Sequence, residues 1–147
     1  PLMAEQGLTL RLAGNPTTAQ IAIDRMQFRR VLENLLNNSL KYKIAASVDF
    51  TVTVTETAHS VTIHCADTGQ GVPDESLPKL FDSFYRTDAA RTNVTKGSGL
   101  GLAIAKQIII SMNGTIAASH TPGGGLTISI TLPKVKEDIW HETRTHH

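Results

Sequence analysis

Five short segments of this chain have the pattern of apolar and polar residues that is typical of β-strands. They are residues 8–12, 51–55, 61–65, 115–120 and 126–132. The second and third segments flank a short polar turn at residues 56–59, so we expect them to pair, with the third ending at Asp67. The pattern therefore predicts a sheet of about five strands.

Two longer segments have helical periodicity instead. Asp24, followed three residues later by Gln27, resembles a capping box at the start of the first helix. Apolar residues then recur at helical spacing at Phe28, Val31, Leu32, Leu35, Leu36 and Leu40. A second helix is predicted from the glycines before residue 102 to Asn113 and Gly114, a common helix stop. Because that segment is apolar nearly all round, we expect it to be well buried.

These elements predict an α/β fold, a two-layer sandwich in which both helices cover one face of a mixed sheet. The 147 residues suit one domain, which we place at residues 1–135, with a polar tail at residues 136–147. No apolar run approaches the length of a membrane span. The formal net charge of +1 argues against a broad nucleic-acid surface. The single Cys65 excludes an internal disulfide and indicates a buried thiol in a reducing compartment.

The sequence GSGLGL at residues 97–102 has glycine at every second position and precedes the second helix. Bare backbone amides at the start of a helix can bind an anion such as phosphate. A flexible surface loop is an equal alternative, since the segment matches neither the P-loop nor the dinucleotide fingerprint. The preceding residues 82–98 lack periodicity, and loops of this length inside a compact domain are usually functional.

Three polar residues line one side of the first predicted helix. Asn34, Asn38 and Lys41 are spaced i, i+4 and i+7, beside the leucine stripe. Amide oxygens can bind Mg²⁺ together with phosphate oxygens, and a lysine can neutralise phosphate charge. An exposed polar face is the alternative for this helix taken alone.

The sequence DTGQG at residues 67–71 follows a predicted strand. One interpretation is a tight turn in which Asp67 accepts hydrogen bonds from backbone amides. The other is that Asp67 accepts the exocyclic amine of adenine, while Gly69 and Gly71 let the base approach. Such a contact would reject guanine, which has an oxygen at that place.

Taken in order, these motifs resemble the ATP-binding catalytic domain of sensor histidine kinases, within the superfamily that includes gyrase B, the ninety-kilodalton heat-shock chaperone and MutL. ENLLNNSLKY at residues 33–42 resembles the N box, and DTGQG resembles the G1 box. FDSFYR at residues 81–86 resembles the F box, and GSGLGL resembles the G2 box. GGGLTISITLP at residues 123–133 resembles the closing turn and strand. The resemblance covers residues 8–133 and implies the Bergerat type of sandwich, with a lid loop over the nucleotide.

The resemblance also implies roles for individual residues. Asn38, helped by Asn34, would hold Mg²⁺, Lys41 would contact phosphate, and Tyr42 would pack on an adenine read by Asp67. The further nucleotide-binding residues would be Gly69, Gly71, Val72, Phe81, Phe84, Gly97, Ser98, Gly99, Leu100, Gly101, Leu102 and Thr127. The catalytic residues would be the lid cations Arg86, Arg91 and Lys96, together with Glu33, which could polarise a nucleophile. Superfamily members that hydrolyse ATP have glutamate at the position of Asn34, which favours transfer over hydrolysis here.

The implied activity is transfer of the γ-phosphate of MgATP to a histidine on a dimerisation and phosphoacceptor domain that this chain lacks. We therefore expect no self-phosphorylation by this chain alone. The expected partners are that domain and a downstream response regulator, with no nucleic acid and no direct membrane contact. The expected location is the cytoplasmic part of a membrane-anchored bacterial sensor. The alternatives are an anti-sigma-factor serine kinase and a regulatory nucleotide-binding module without transferase activity.

Overall fold

The computed structural model describes residues 6–14, 17–85 and 100–135. The elements in chain order are β1 (Leu8–Ala13), α1 (Arg25–Lys41), β2 (Val48–Glu56), β3 (Ser60–Asp67), a short 3-10 helix (Asp74–Lys79), α2 (Gly101–Ser111), β4 (Thr115–His120) and β5 (Leu126–Pro133). The five strands and two helices that the sequence predicts are all present.

The strands form one sheet in the order β1-β2-β3-β5-β4. Among the described strands, β1 and β2 pair in parallel and the other neighbours are antiparallel, so the prediction of a mixed sheet is confirmed. Ala66 near the end of β3 pairs with Thr127 near the start of β5. The end of β3 and the start of β5 therefore meet at one edge of the sheet.

The two faces of the sheet differ in polarity. Alternate residues of β3 and β5 are buried on the face that the helices cover. The opposite face is lined with half-buried hydroxyl and imidazole groups, for example the pair Thr62 and Thr131, whose Oγ1 atoms lie 3.0 Å apart. His64 likewise contacts Ser129, with 3.0 Å between Nδ1 and Oγ. This arrangement confirms the two-layer α/β sandwich.

The start of α1 is fixed by its predicted cap. Asp24 Oδ1 accepts hydrogen bonds from the backbone amides of Met26 and Gln27 at 3.0 and 3.2 Å. An N-cap of this kind satisfies amide groups that have no partner within the helix. Val31, Leu35 and Ser39 then form the buried stripe of α1.

The expectation that α2 is well buried holds for Ala103, Ala105, Ile108 and Ile109 but not for the outer side of the helix. Ile109 is 0% exposed, whereas its neighbour Ile110 is 48% exposed. The described helices form a single layer, so the side of α2 that faces away from the sheet and α1 is not covered by another described helix.

Cys65 lies in the core, as the sequence predicts. Its side chain is on the buried face of β3, between Val52 of β2 and Ile128 of β5 in the register of the sheet. Burial raises the pKa of the Cys65 thiol to about 11, because a thiolate would lose its hydration there. The group is therefore a neutral, poorly reactive thiol at physiological pH.

The contrast between Ile109 and Ile110 gives a stability test with a matched control. Ile109→Ala should lower the free energy of unfolding by about 2–5 kcal/mol, because it removes packed core atoms and leaves a cavity. Ile110→Ala makes the same chemical change on the exposed side and should cost less than about 1 kcal/mol. Urea denaturation of both variants measures the difference, and equal losses would contradict the packing described here.

Candidate nucleotide-binding site

The site is organised by the carboxylate of Asp67, at the end of β3. Its Oδ1 accepts hydrogen bonds from the backbone amides of Gly69 and Leu126, both at 3.0 Å. Its Oδ2 accepts a hydrogen bond from Ser39 Oγ of α1 at 2.8 Å. Asp67 is only 5% exposed, and these three donors come from three separate parts of the fold.

The number of donors leaves room for a ligand. A carboxylate offers about four acceptor positions, and donors within residues 6–14, 17–85 and 100–135 use three of those of Asp67. Since Oδ1 receives two of the donors, the remaining position is on Oδ2. Asp67 thus accepts backbone amides, as the tight-turn interpretation of its motif required. It can still accept one further N–H group, as the adenine-binding interpretation required.

Two glycines allow the backbone to close around Asp67. Gly125 has a φ of +116°, and a Cβ there would lie 2.0 Å from the carbonyl oxygen of Asp67. A Cβ at Gly69 would lie 2.8 Å from the carbonyl oxygen of Tyr42. That same carbonyl accepts the backbone amide of Gln70 at 2.9 Å. The loop after β3 is therefore packed directly on the end of α1.

The second part of the site is the amino end of α2. The N-cap residue, Leu100, has no polar side-chain atom with which to cap the helix, in contrast to Asp24 at the start of α1. A helix amino end carries about half a positive charge and favours an anion. Asn34 holds this end against α1, since its Nδ2 donates to the carbonyl oxygen of Gly101 at 3.1 Å.

The predicted metal ligands lie on α1, the helix that contacts both of these parts. Asn34 and Asn38 are both half-buried and stand one turn apart on α1. Because the amide nitrogen of Asn34 is engaged by Gly101, its Oδ1 is the atom that could bind a cation. Amide oxygens suit Mg²⁺, which also keeps water and phosphate ligands. In the part of the chain that the structure describes, no three His, Cys, Asp or Glu side chains are grouped as a metal site.

The other described residues that were predicted to contact the nucleotide differ in their exposure. Lys41 is the last residue of α1 and Tyr42 its C-cap, and both are half-buried. Val72 and Phe81 pack against the core, whereas Phe84 is 68% exposed and has a φ of +65°. Leu102 also packs against the core, in the first turn of α2.

Two predicted residues are not brought to the Asp67 cluster. Thr127 lies on the opposite face of β5 from the buried Leu126 and Ile128, and its Oγ1 is 2.9 Å from Thr121 Oγ1. Glu33 lies on the exposed side of α1, where Oε1 accepts a hydrogen bond from Arg29 Nε at 2.8 Å. Their assigned roles stay predictions.

Six further predicted residues lie outside the described ranges. They are Arg86, Arg91, Lys96, Gly97, Ser98 and Gly99. Across residues 6–14, 17–85 and 100–135, no helix has both the length and the apolar character needed to cross a membrane.

The sequence motifs did not single out Ser39 or Gly125. Ser39 continues the buried stripe of Val31 and Leu35 at a spacing of four residues, so a hydroxyl on an otherwise apolar stripe was the available signal. Gly125 was visible only as one glycine of a turn. Its close approach to Asp67 is a contact between distant parts of the sequence.

Comparison with known proteins shows the family of the chain. Residues 23–136 match the model of the histidine kinase-, DNA gyrase B- and HSP90-like ATPases, and the chain belongs to this family. The resemblance found in the sequence motifs is thereby confirmed. Membership of an ATPase family also supports ATP as the nucleotide.

Within this family, the chain is similar to bacterial sensor kinases. It is 41% identical over 125 residues to the sensor histidine kinase WalK of Bacillus subtilis (strain 168), covering 83% of this chain and 20% of WalK. It is 37% identical over 139 residues to the signal transduction histidine-protein kinase BaeS of Escherichia coli (strain K12), covering 95% of this chain and 29% of BaeS. The chain thus spans less than a third of the length of these relatives.

Among solved structures, the mycobacterial sensor histidine kinase MprB has the same fold. The two superpose with a TM-score of 0.74 at 25% identity, covering 90% of this chain and 86% of that chain. The match extends over nearly the whole of both chains, so the sandwich described here is the fold of that protein also.

The approach of Gly125 to Asp67 can be tested against a nearby glycine. Gly123→Ala should cost on the order of 1–2 kcal/mol, because its φ is +88° but a Cβ would meet nothing within 4 Å. Gly125→Ala should cost distinctly more, since its Cβ would also collide with the backbone of Asp67. Denaturant unfolding of both variants gives the comparison. Similar losses of unfolding free energy in the two variants would show that the positive φ, and not the close approach to Asp67, is the reason for glycine at position 125.

Proposed function

We propose that this chain is the ATP-binding catalytic domain of a sensor histidine kinase. It binds ATP with Mg²⁺ and transfers the γ-phosphate to a histidine on a separate dimerisation and phosphoacceptor domain. Family membership and the names of the relatives, at 41% and 37% identity, support this activity. Their greater length supports an acceptor domain elsewhere in the full protein. The observation that carries the proposal is the buried Asp67, which retains one acceptor position among its described contacts.

Asp67 reads the base in this proposal. The remaining acceptor position on Oδ2 receives the exocyclic amine of adenine, and a hydrogen bond to a charged acceptor contributes roughly 1.5–3 kcal/mol. Guanine has a carbonyl oxygen there, which would face the carboxylate without a proton between them. The site therefore selects adenine by the direction of hydrogen bonding.

The phosphates extend from the base toward the amino end of α2. The backbone amides of its first turn and the ammonium of Lys41 hold the phosphate oxygens. Asn38 and the Oδ1 atom of Asn34 would hold Mg²⁺, which neutralises phosphate charge when it is bound.

The chain is suited to transfer rather than hydrolysis. An amide at position 34 cannot take a proton from water at neutral pH, so it cannot act as a general base. Its Nδ2 atom is moreover engaged by Gly101. The domain positions the γ-phosphate relative to an incoming imidazole. It also supplies the lid cations Arg86, Arg91 and Lys96, whose roles remain predictions.

Incubation with γ-labelled ATP tests the activity. The chain alone should remain unlabelled, and the phosphoacceptor domain of its own full-length protein should become labelled when it is added. The label should be lost in acid, because phosphohistidine is acid-labile.

Each other result would contradict the proposal in its own way. Acid-stable label on the partner would indicate a serine kinase. ATP binding without any transfer would indicate a regulatory module, and failure to bind ATP would remove the nucleotide site itself.

The metal assignment can be tested with two neighbouring asparagines. Asn38→Ala should leave folding intact, because alanine is the better helix former, but should lower the Mg²⁺-dependent part of ATP affinity about tenfold or more. Asn37→Ala is the matched control, since Asn37 is exposed on the same helix and has no assigned role. Calorimetry with and without Mg²⁺ distinguishes the two variants. If Asn38→Ala keeps the full Mg²⁺ dependence, Asn38 is not a ligand.

A further inference from the structure

We infer that Ser39 is a positioning residue that sets the selectivity of the site for a 6-amino purine by orienting Asp67. This inference rests on the proposed function, because it assumes that Asp67 reads the base. Ser39 itself is not assigned a contact with the nucleotide. It acts through the carboxylate to which it is hydrogen-bonded.

The position of Ser39 is unusual for a hydroxyl. It is only 2% exposed and lies on the same stripe of α1 as the fully buried Val31 and Leu35. A buried hydroxyl is unfavourable unless it is hydrogen-bonded, and the partner of Ser39 is Oδ2 of Asp67, at 2.8 Å. At this position the apolar stripe of α1 would be expected to have an apolar side chain. The helix instead has a hydroxyl there, which contacts the end of β3.

The contact helps to fix the orientation of the carboxylate. Two backbone amides hold Oδ1 at 3.0 Å each, and the hydroxyl of Ser39 holds Oδ2 at 2.8 Å. Rotation about the Cβ–Cγ bond moves both oxygens, so contacts on both oxygens resist it. Ser39 also occupies one of the two acceptor positions on Oδ2, which leaves the other position for an incoming N–H group.

The contact also determines whether Ser39 and Asp67 together donate or accept hydrogen bonds. A serine hydroxyl can donate or accept, so by itself it would tolerate either an amine or a carbonyl oxygen. Because its single proton is given to Asp67, the pair Ser39 and Asp67 offers acceptors only. A purine with an amine at position 6 is then favoured, and one with an oxygen there is rejected.

Ser39 also follows Asn38, the proposed metal ligand, directly in the sequence. Successive helical residues project about 100° apart, so this turn of α1 can orient Asp67 through Ser39 and bind the metal at the phosphates through Asn38. The spacing between the two recognition points is set by one rigid turn of helix.

Ser39→Ala tests the inference, with ATP and inosine triphosphate as ligands. The latter has an oxygen in place of the 6-amino group. The affinity for ATP should fall about fivefold to tenfold, as expected for one hydrogen bond, while that for inosine triphosphate should change little. Calorimetry gives both affinities, and Ser39→Thr, which keeps the hydroxyl, should retain the preference for ATP if it folds.

The controls separate this inference from the proposal on which it rests. Ser129→Ala removes a hydroxyl that contacts His64 on the opposite face of the sheet, and it should leave both affinities unchanged. If the unmodified chain does not prefer ATP, the role of Asp67 in the proposed function fails. If the unmodified chain prefers ATP and Ser39→Ala keeps the same ratio, the inference alone fails. Loss of folding in Ser39→Ala would assign Ser39 to the structure and would also overturn the inference.

Discussion

The structure depends on keeping one buried carboxylate hydrogen-bonded. An ionised group taken out of water is strongly unfavourable unless other groups replace its hydration, and Asp67 is 5% exposed. Its donors are separated from it by 28, 2 and 59 positions in the sequence. They can converge only if α1 crosses the end of β3 and if β5 is its neighbour in the sheet. The strand order β1-β2-β3-β5-β4 and the close turn at Gly125 satisfy this requirement.

The two helices meet this site with opposite ends. The carboxyl end of α1 carries partial negative charge, and the amino end of α2 carries partial positive charge. A polyphosphate would be repelled by the first end and attracted by the second. Lys41, in the last turn of α1, offsets the unfavourable end, and Asn34 holds the favourable end in place through Gly101. Side chains of α1 thus offset the repulsion that the carboxyl end of this helix would exert on a polyphosphate.

Local patterns in the sequence were sufficient to predict most of the fold. A period of two predicted the strands, and the cap at Asp24 predicted the start of α1, because both depend on residues close together in the chain. The exposure of Ile110 was not predicted, since it depends on how many layers cover the helix. The orientation of Thr127 could have been inferred, because strand alternation places it opposite the apolar Leu126 and Ile128. The motif that suggested a role for Thr127 does not indicate on which face of the sheet its side chain lies.

The site shows the same division between local and distant contacts. The order of the motifs predicted roles for Asp67 and the asparagines of α1, whereas Ser39 was not singled out because its contact is with a partner 28 positions away. This difference matters for the chemistry. The hydrogen bond from Ser39 joins Asp67, the proposed reader of the base, to the buried side of α1, whereas Asn38 beside Ser39 is only half-buried. A nucleotide would then be held rigidly at its base, and the group to be transferred would lie toward the exposed side. That arrangement is required when the acceptor is an imidazole on another domain, because the acceptor must approach the γ-phosphate without displacing the base.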